Sequence, residues 1–117
     1  MKKLFISCPM KGRTDKNIRE TFDYLHKVAE AVFDEELEVI DTYVEEDAPE
    51  TSHEAVWYLG KSIEMMSEAD YFIGVYDEQR AFNGCVIENQ VAKFYGIPQY
   101  LVNLSFAAPD VAYKRMH

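Results

Sequence analysis

The stretch Tyr71 to Tyr76, Tyr-Phe-Ile-Gly-Val-Tyr, is an unbroken apolar and aromatic run around one glycine. A strand with one wet face alternates polar and apolar residues, so a run without alternation reads as a strand buried on both faces. Covering both faces requires helices, and the flanking sequence supplies them. Ile18, Phe22, Leu25, Ala29 and Val32 recur at spacings of four and three behind a candidate cap, Asp15. Val56, Leu59, Ile63 and Met66 do so in a helix from about His53 to Ser67, capped by Ser52. Ile87, Val91 and Phe94 follow in a third helix, with Asn83 as cap and Gly96 as its end. These are helical stripes with core-facing sides.

Three further short runs read as strands: Lys3 to Cys8, Leu37 to Ile40, and Gln99 to Val102 entered through Ile97-Pro98. Strands alternating with helices imply right-handed crossovers and a parallel sheet. The expectation is one domain over residues 1–117, a small doubly wound (flavodoxin/Rossmann-like) α/β fold with a parallel sheet of four to five strands. The expected order is 2-1-3-4, with helices on both faces. Asp41 to Ser52 is acidic, contains Pro49 and has no period. At about a dozen residues it is long for a compact domain, as lids and binding loops are. Trp57 and Tyr58 lie partly off their helix's core stripe, which suits either a subunit contact or folding back under the acidic loop. The tail Asn103 to His117 spreads Phe106, Val111, Tyr113 and Met116 among polar residues, and reads as a short helix or an arm reaching a neighbour. Together these features predict a homo-oligomer assembled through Trp57, Tyr58 and the C-terminal tail.

Charge narrows the partners. Twenty-one acidic residues against 12 Lys plus Arg give −9 over 117 residues, which argues against a nucleic-acid polymer, whose affinity comes from Lys and Arg on phosphates. It leaves room for one small anion in a local basic pocket. No apolar run approaches the roughly 18 residues of a membrane span, so no membrane partner is expected. The start, Met-Lys-Lys-Leu-Phe-Ile-Ser-Cys-Pro, mimics a signal peptide, but charge returns at Lys11. The expected compartment is the cytoplasm, and Cys8 and Cys85 are then free thiols.

In a sheet of this order ligands sit beyond the carboxyl ends of the strands where the order reverses. That crevice would be lined by Ser7, Cys8, Pro9, Met10, Lys11, Gly12 and Arg13 on one side, and by Asp77 to Glu88, including Asn83 and Gly84, on the other. Lys11-Gly12-Arg13 puts two cations before a helix N-terminus, a setting for a phosphate or carboxylate, or else a solvated loop. Glu88 lies one residue off the Ile87 stripe, near the positive end of its helix. There a carboxylate tends to stay ionised, available as a nucleophile or simply solvated. Cys8 to Arg13 has Cys-x4-Arg spacing, one residue short of the cysteine-phosphatase loop, so Cys8 reads as a buried inert thiol. His26, His53 and His117 have no metal-site spacing and read as surface residues, so neither metal nor cofactor is implied.

Leu4-Phe5-Ile6-Ser7-Cys8-Pro9-Met10-Lys11-Gly12-Arg13, Ala69-Asp70, and Gly84-Cys85-Val86-Ile87-Glu88-Asn89-Gln90-Val91-Ala92 together resemble the nucleoside 2-deoxyribosyltransferase superfamily, which includes 2'-deoxynucleoside 5'-phosphate N-hydrolases. The resemblance covers about residues 3 to 103. It implies cleavage or transfer at the N-glycosidic bond of a (deoxy)nucleotide or nucleoside, with Glu88 attacking the anomeric carbon to give a covalent ester. It also implies that the loop after the first strand lines the sugar and the 5'-phosphate, with Lys11 and Arg13 in that role. The chain departs from the family pattern at three positions. Phe5 stands where a tyrosine is common, Ser62 where an aspartate is, and Val86 where a second glycine often is. With Ser62 on the ribose or on Glu88, activation of the leaving base is unassigned. The alternative is a non-catalytic nucleotide-binding module using the same pocket.

Overall fold

The computed structural model describes residues 1–9, 13–42, 44, 46–77 and 82–103. The elements run β1 (Lys2–Ile6), α1 (Asp15–Phe33), β2 (Leu37–Val39), α2 (Glu54–Met66), β3 (Tyr71–Tyr76), α3 (Asn83–Phe94) and β4 (Gln99–Asn103). The four strands form one sheet in the order β2-β1-β3-β4, and all three pairings are parallel. This is the doubly wound α/β fold expected from the unalternated runs.

The period of two along each strand divides the core. Leu4 and Ile6 of β1, with Ile73 and Val75 of β3, pack with Leu25 and Ala29 of α1. Phe5 and Phe72, the residues between, pack with Met66 of α2 and Ala92 of α3. The Phe5 and Phe72 rings stack at 5.6 Å and 8°. The next inward residue of β1 on the Phe5 side is Ser7, whose N–H still pairs with Ile73 O at 2.9 Å. That parity aims Ser7 at the helices α2 and α3.

Several caps and faces differ from the sequence reading. Strand β1 ends at Ile6. Thr14 caps α1 by accepting from Asn17 N–H, and Asp15 is the first helical residue. His53 stands at the N-cap of α2 and Phe82 at that of α3, neither making a side-chain cap bond, so Ser52 and Asn83 do not cap. His26 is half-buried and bonds Leu37 O through Nε2 at 2.8 Å, tying α1 to β2 rather than facing solvent. The Tyr58 hydroxyl accepts from Ala48 N–H at 3.4 Å, and the Trp57 ring meets Tyr58 edge-on at 5.0 Å. Tyr58 thus folds back to the acidic segment, as the second of the two readings has it, with Trp57 packed against its ring. The tail from residue 104 lies outside the described residues. Among the described residues no helix is long and apolar enough to cross a membrane.

The largest difference is in α3. Its buried residues are Cys85, Glu88, Asn89 and Ala92, while Ile87 and Phe94 of the apolar stripe are exposed. Asn89 explains the rotation. Its Nδ2 donates to Val75 O at 3.2 Å, its backbone carbonyl accepts from Gln99 Nε2 at 3.1 Å, and its amide rests on Gly74. A Cβ at Gly74 would collide with Asn89 Oδ1 and lie 2.8 Å from Phe72 Cε1. Glycine in mid-strand here admits a helix side chain against the backbone. Gly74→Ala is expected to destabilise the fold by about 1–3 kcal/mol in urea unfolding. Asn89→Ala in the same chain should return part of that loss, because the two residues occupy one space. Strictly additive costs would refute the wedge.

Candidate functional site

Glu88 is 8% exposed, so it is not the solvated residue that its polar type suggests. Its Oε1 accepts from Ser7 Oγ at 2.7 Å, and its Oε2 accepts from Ser62 Oγ. Three elements therefore meet at one carboxyl group: the end of β1, the middle of α2 and the second turn of α3. The meeting point is the crevice between β1 and β3 where the strand order reverses. Burial pushes the Glu88 pKa above the usual carboxylate range, and the Ser62 and Ser7 hydroxyls pull it partway back. The helix-dipole expectation of a readily ionised carboxylate fails, because Glu88 sits past the first turn and desolvation outweighs the dipole.

Ser62 also lines a cleft of about 770 Å³ at the carboxyl end of β2. Its other walls include Ile18, Phe22, Val44 and Tyr58, with Asp15, Arg19, Asp41 and Thr42 as polar groups. The acidic segment thus contributes Asp41, Thr42 and Val44 to a cavity wall. Ser62 joins the two features, facing the cleft and donating to Glu88.

The remaining residues expected at the site divide into groups. Phe5 is 1% exposed beneath Ser7 and belongs to the core, not to a ligand surface. Cys8 is buried on the α1 side of the sheet, in one apolar cluster with Cys85. Burial pushes the Cys8 thiol up to about 12 against the pull of Arg13, and pushes Cys85 up to about 11. Both stay protonated at neutral pH and neither serves as a nucleophile. Pro9 and Arg13 are partners: Arg13 Nη1 donates to Pro9 O at 2.7 Å. Arg13 Nη2 donates to Asn17 O at 3.1 Å and to Thr21 Oγ1. The guanidinium ties Pro9 to the first turns of α1, a bracing contact that sequence spacing did not suggest. Asp77 is half-buried at the end of β3, and Asn83 and Gly84 are exposed in the first turn of α3. A Cβ on Gly84 would meet nothing within 4 Å, so packing does not require glycine there. Met10, Lys11 and Gly12 lie outside the described residues.

Comparison with protein-family models, with curated proteins and with solved structures returns no match. The site therefore rests on its own geometry. Among the described residues no cluster of three or more His, Cys, Asp or Glu could hold a metal ion. Apart from Ser62, the cleft walls were not among the expected site residues. The length of the 41–52 loop and the position of Tyr58 hinted at one side of them, and nothing hinted at Arg19 or Phe22.

The raised pKa has a measurable consequence. Between the ordinary glutamate value and the raised one, the folded protein holds a proton that the unfolded chain has released. The stability tied to this group is therefore full below the unfolded value and falls as pH climbs through the folded one. Glu88→Gln removes the charge but keeps the shape. It is expected to raise Tm at pH 7 by about 2–6 °C, with the gain closing toward pH 4, in calorimetry over a pH series. A lower Tm than wild type at pH 7 would mean that the ionised carboxylate stabilises the fold.

Proposed function

We propose that this chain cleaves or transfers at the N-glycosidic bond of a (deoxy)nucleotide or nucleoside through a covalent glycosyl-glutamate intermediate on Glu88. The observation that carries the reading is a buried carboxyl group, held by two hydroxyls at the switch point of a parallel sheet, behind one wall of a cleft. The cleft's volume lies within the range of small-molecule sites, about 300–1,000 Å³. Buried, oriented carboxylates with perturbed pKa values are more common at reactive sites than elsewhere.

In this reading the ionised Glu88 attacks the anomeric carbon as the C–N bond to the base breaks, and the base leaves with the bonding electron pair. Water, or an acceptor base, then attacks the same carbon and frees the carboxylate. Ser7 and Ser62 hold the carboxyl plane and do not act as acids. With Ser62 on α2, the groups available to a departing base are on the cleft walls: Asp15, Asp41 and Tyr58. The apolar walls at Phe22, Ile18 and Val44 suit a flat heterocycle. Lys11 and Arg13 are the cations proposed for a 5'-phosphate, with Arg13 also bonded to Pro9 O.

Incubation with deoxynucleoside monophosphates and with nucleosides should release free base, detected by chromatography. Glu88→Ala should lower that release by about 10³-fold or more. The acid limb of the rate profile should lie above the ordinary glutamate range, because the reactive form is ionised and burial raises the pKa. Ser62→Ala removes one hydroxyl that favours ionisation and should move that limb higher still.

The second reading is a nucleotide-binding module without turnover. It is favoured by one observation: the position on α2 facing Glu88 is a serine, where leaving-group protonation would call for an acid. Saturable nucleotide binding with no base released from any common nucleoside or nucleotide would leave this reading alone.

A further inference from the structure

We infer that Asn89 is a positioning residue for Glu88: its amide takes the place of a strand hydrogen bond that Pro9 cannot make, and so sets the turn of α3 at which Glu88 reaches Ser7 and Ser62. As a role in catalysis this rests on the proposed reaction at Glu88. In a parallel ladder every second residue of a strand faces the same neighbour. Ser7 N–H donates to Ile73 O at 2.9 Å. Two residues on, the donor facing Val75 O would be residue 9, but residue 9 is proline and has no N–H. A carbonyl left bare in a buried strand is costly. Asn89 Nδ2 donates to Val75 O instead, at 3.2 Å.

Both ends of the Ser7–Glu88 hydrogen bond are thereby referred to one strand. Ser7 is held on Ile73 O and Asn89 on Val75 O, and Gly74 between them makes room for the amide. Gln99 Nε2 at the start of β4 holds the Asn89 backbone carbonyl at 3.1 Å. Glu88 lies one residue back, about 100° round the helix. With Cα atoms about 2.3 Å from the axis and the side chain reaching beyond them, a turn of about 10° moves the carboxyl group by about 1 Å, enough to open a hydrogen bond. An apolar side chain would fill the same space without leaving Asn89 Oδ1 buried and lacking a hydrogen bond. The amide therefore gives the contact its direction at a cost in stability. The titratable groups beside Glu88 are Cys8 past β1 and Cys85 on α3, both protonated at neutral pH. The Glu88 pKa thus reports burial and the Ser62 and Ser7 hydroxyls.

Carboxyl carbon-13 NMR of the full chain over a pH series follows that pKa without any substrate, with the Glu88→Gln spectrum identifying the resonance. In Asn89→Ala the helix is free to settle with Ile87 inward. The Glu88 pKa should then fall back into the ordinary glutamate range as the group meets water. Base release should lose about 10²-fold in kcat, the effect of a displacement of about 1 Å, with KM little changed because Asn89 is not on the cleft wall. The Gly74→Ala, Asn89→Ala double variant should regain part of the stability but not the pKa, since no donor returns to Val75 O. A Glu88 pKa unmoved in Asn89→Ala, or one restored along with stability in the double variant, would overturn the positioning role. Wild type that shows the raised pKa and its loss in Asn89→Ala, yet releases no base, would uphold the positioning and overturn the reaction alone.

Discussion

A carboxyl group taken out of water and held by two serine hydroxyls is the constraint around which this structure is arranged. Burying a carboxylate is costly unless its lone pairs are met. Ser7 and Ser62 meet them from different elements, one on each oxygen. The side chain of Glu88 therefore reports three placements at once: where β1 stops, where α2 crosses above it, and how far α3 is rotated about its own axis. No cation among the described residues is hydrogen-bonded to the group, so the charge is tolerated and not neutralised. Such an arrangement raises the proton affinity and gives up stability at neutral pH. Strain of that kind persists where function uses it.

The rotation of α3 is the step that connects packing to the site. By apolar content, Ile87, Val91 and Phe94 would all face the sheet, yet of the three Val91 alone packs against the core. Instead Asn89 wedges against Gly74 and binds Val75 O, and the helix turns Cys85, Glu88, Asn89 and Ala92 inward. The same rotation buries the carboxyl group and leaves Ile87 and Phe94 outside. One packing decision thus generates both the buried carboxyl group and the exposed side chains beside it. Gly74 is the permissive element, since any side chain there would push the helix off the strand.

Arg13, a candidate ligand-binding cation by its type and place, also bonds within its own end of the chain. Its guanidinium fork matches carboxylate or phosphate geometry, and it donates to Pro9 O, Asn17 O and Thr21 Oγ1. It ties Pro9, just past the strand carrying Ser7, to the first turns of α1. The cleft on the other side of Ser62 is built from β2, the first turns of α1 and the acidic segment. The site and the cleft therefore share one wall but depend on different loops.

Much of this was legible in residue order. Runs without alternation at Leu4-Phe5-Ile6 and Tyr71 to Tyr76 read as strands covered on both faces, and the helical stripes between them supply that cover and imply a parallel sheet. Strand parity places Ser7 on the Phe5 side, and the strand order places the end of β1 beside the start of α3. The sequence could not decide the rotation of α3, the bonds of Arg13 within its own end of the chain, or the cleft walls at Asp41 and Tyr58. Those depend on contacts between residues far apart in the chain. The Ser62–Glu88 bond spans 26 positions and the Ser7–Glu88 bond 81. Periodicity reports which side of a helix is apolar, whereas the fit of Asn89 to a glycine in another element decides which side is buried.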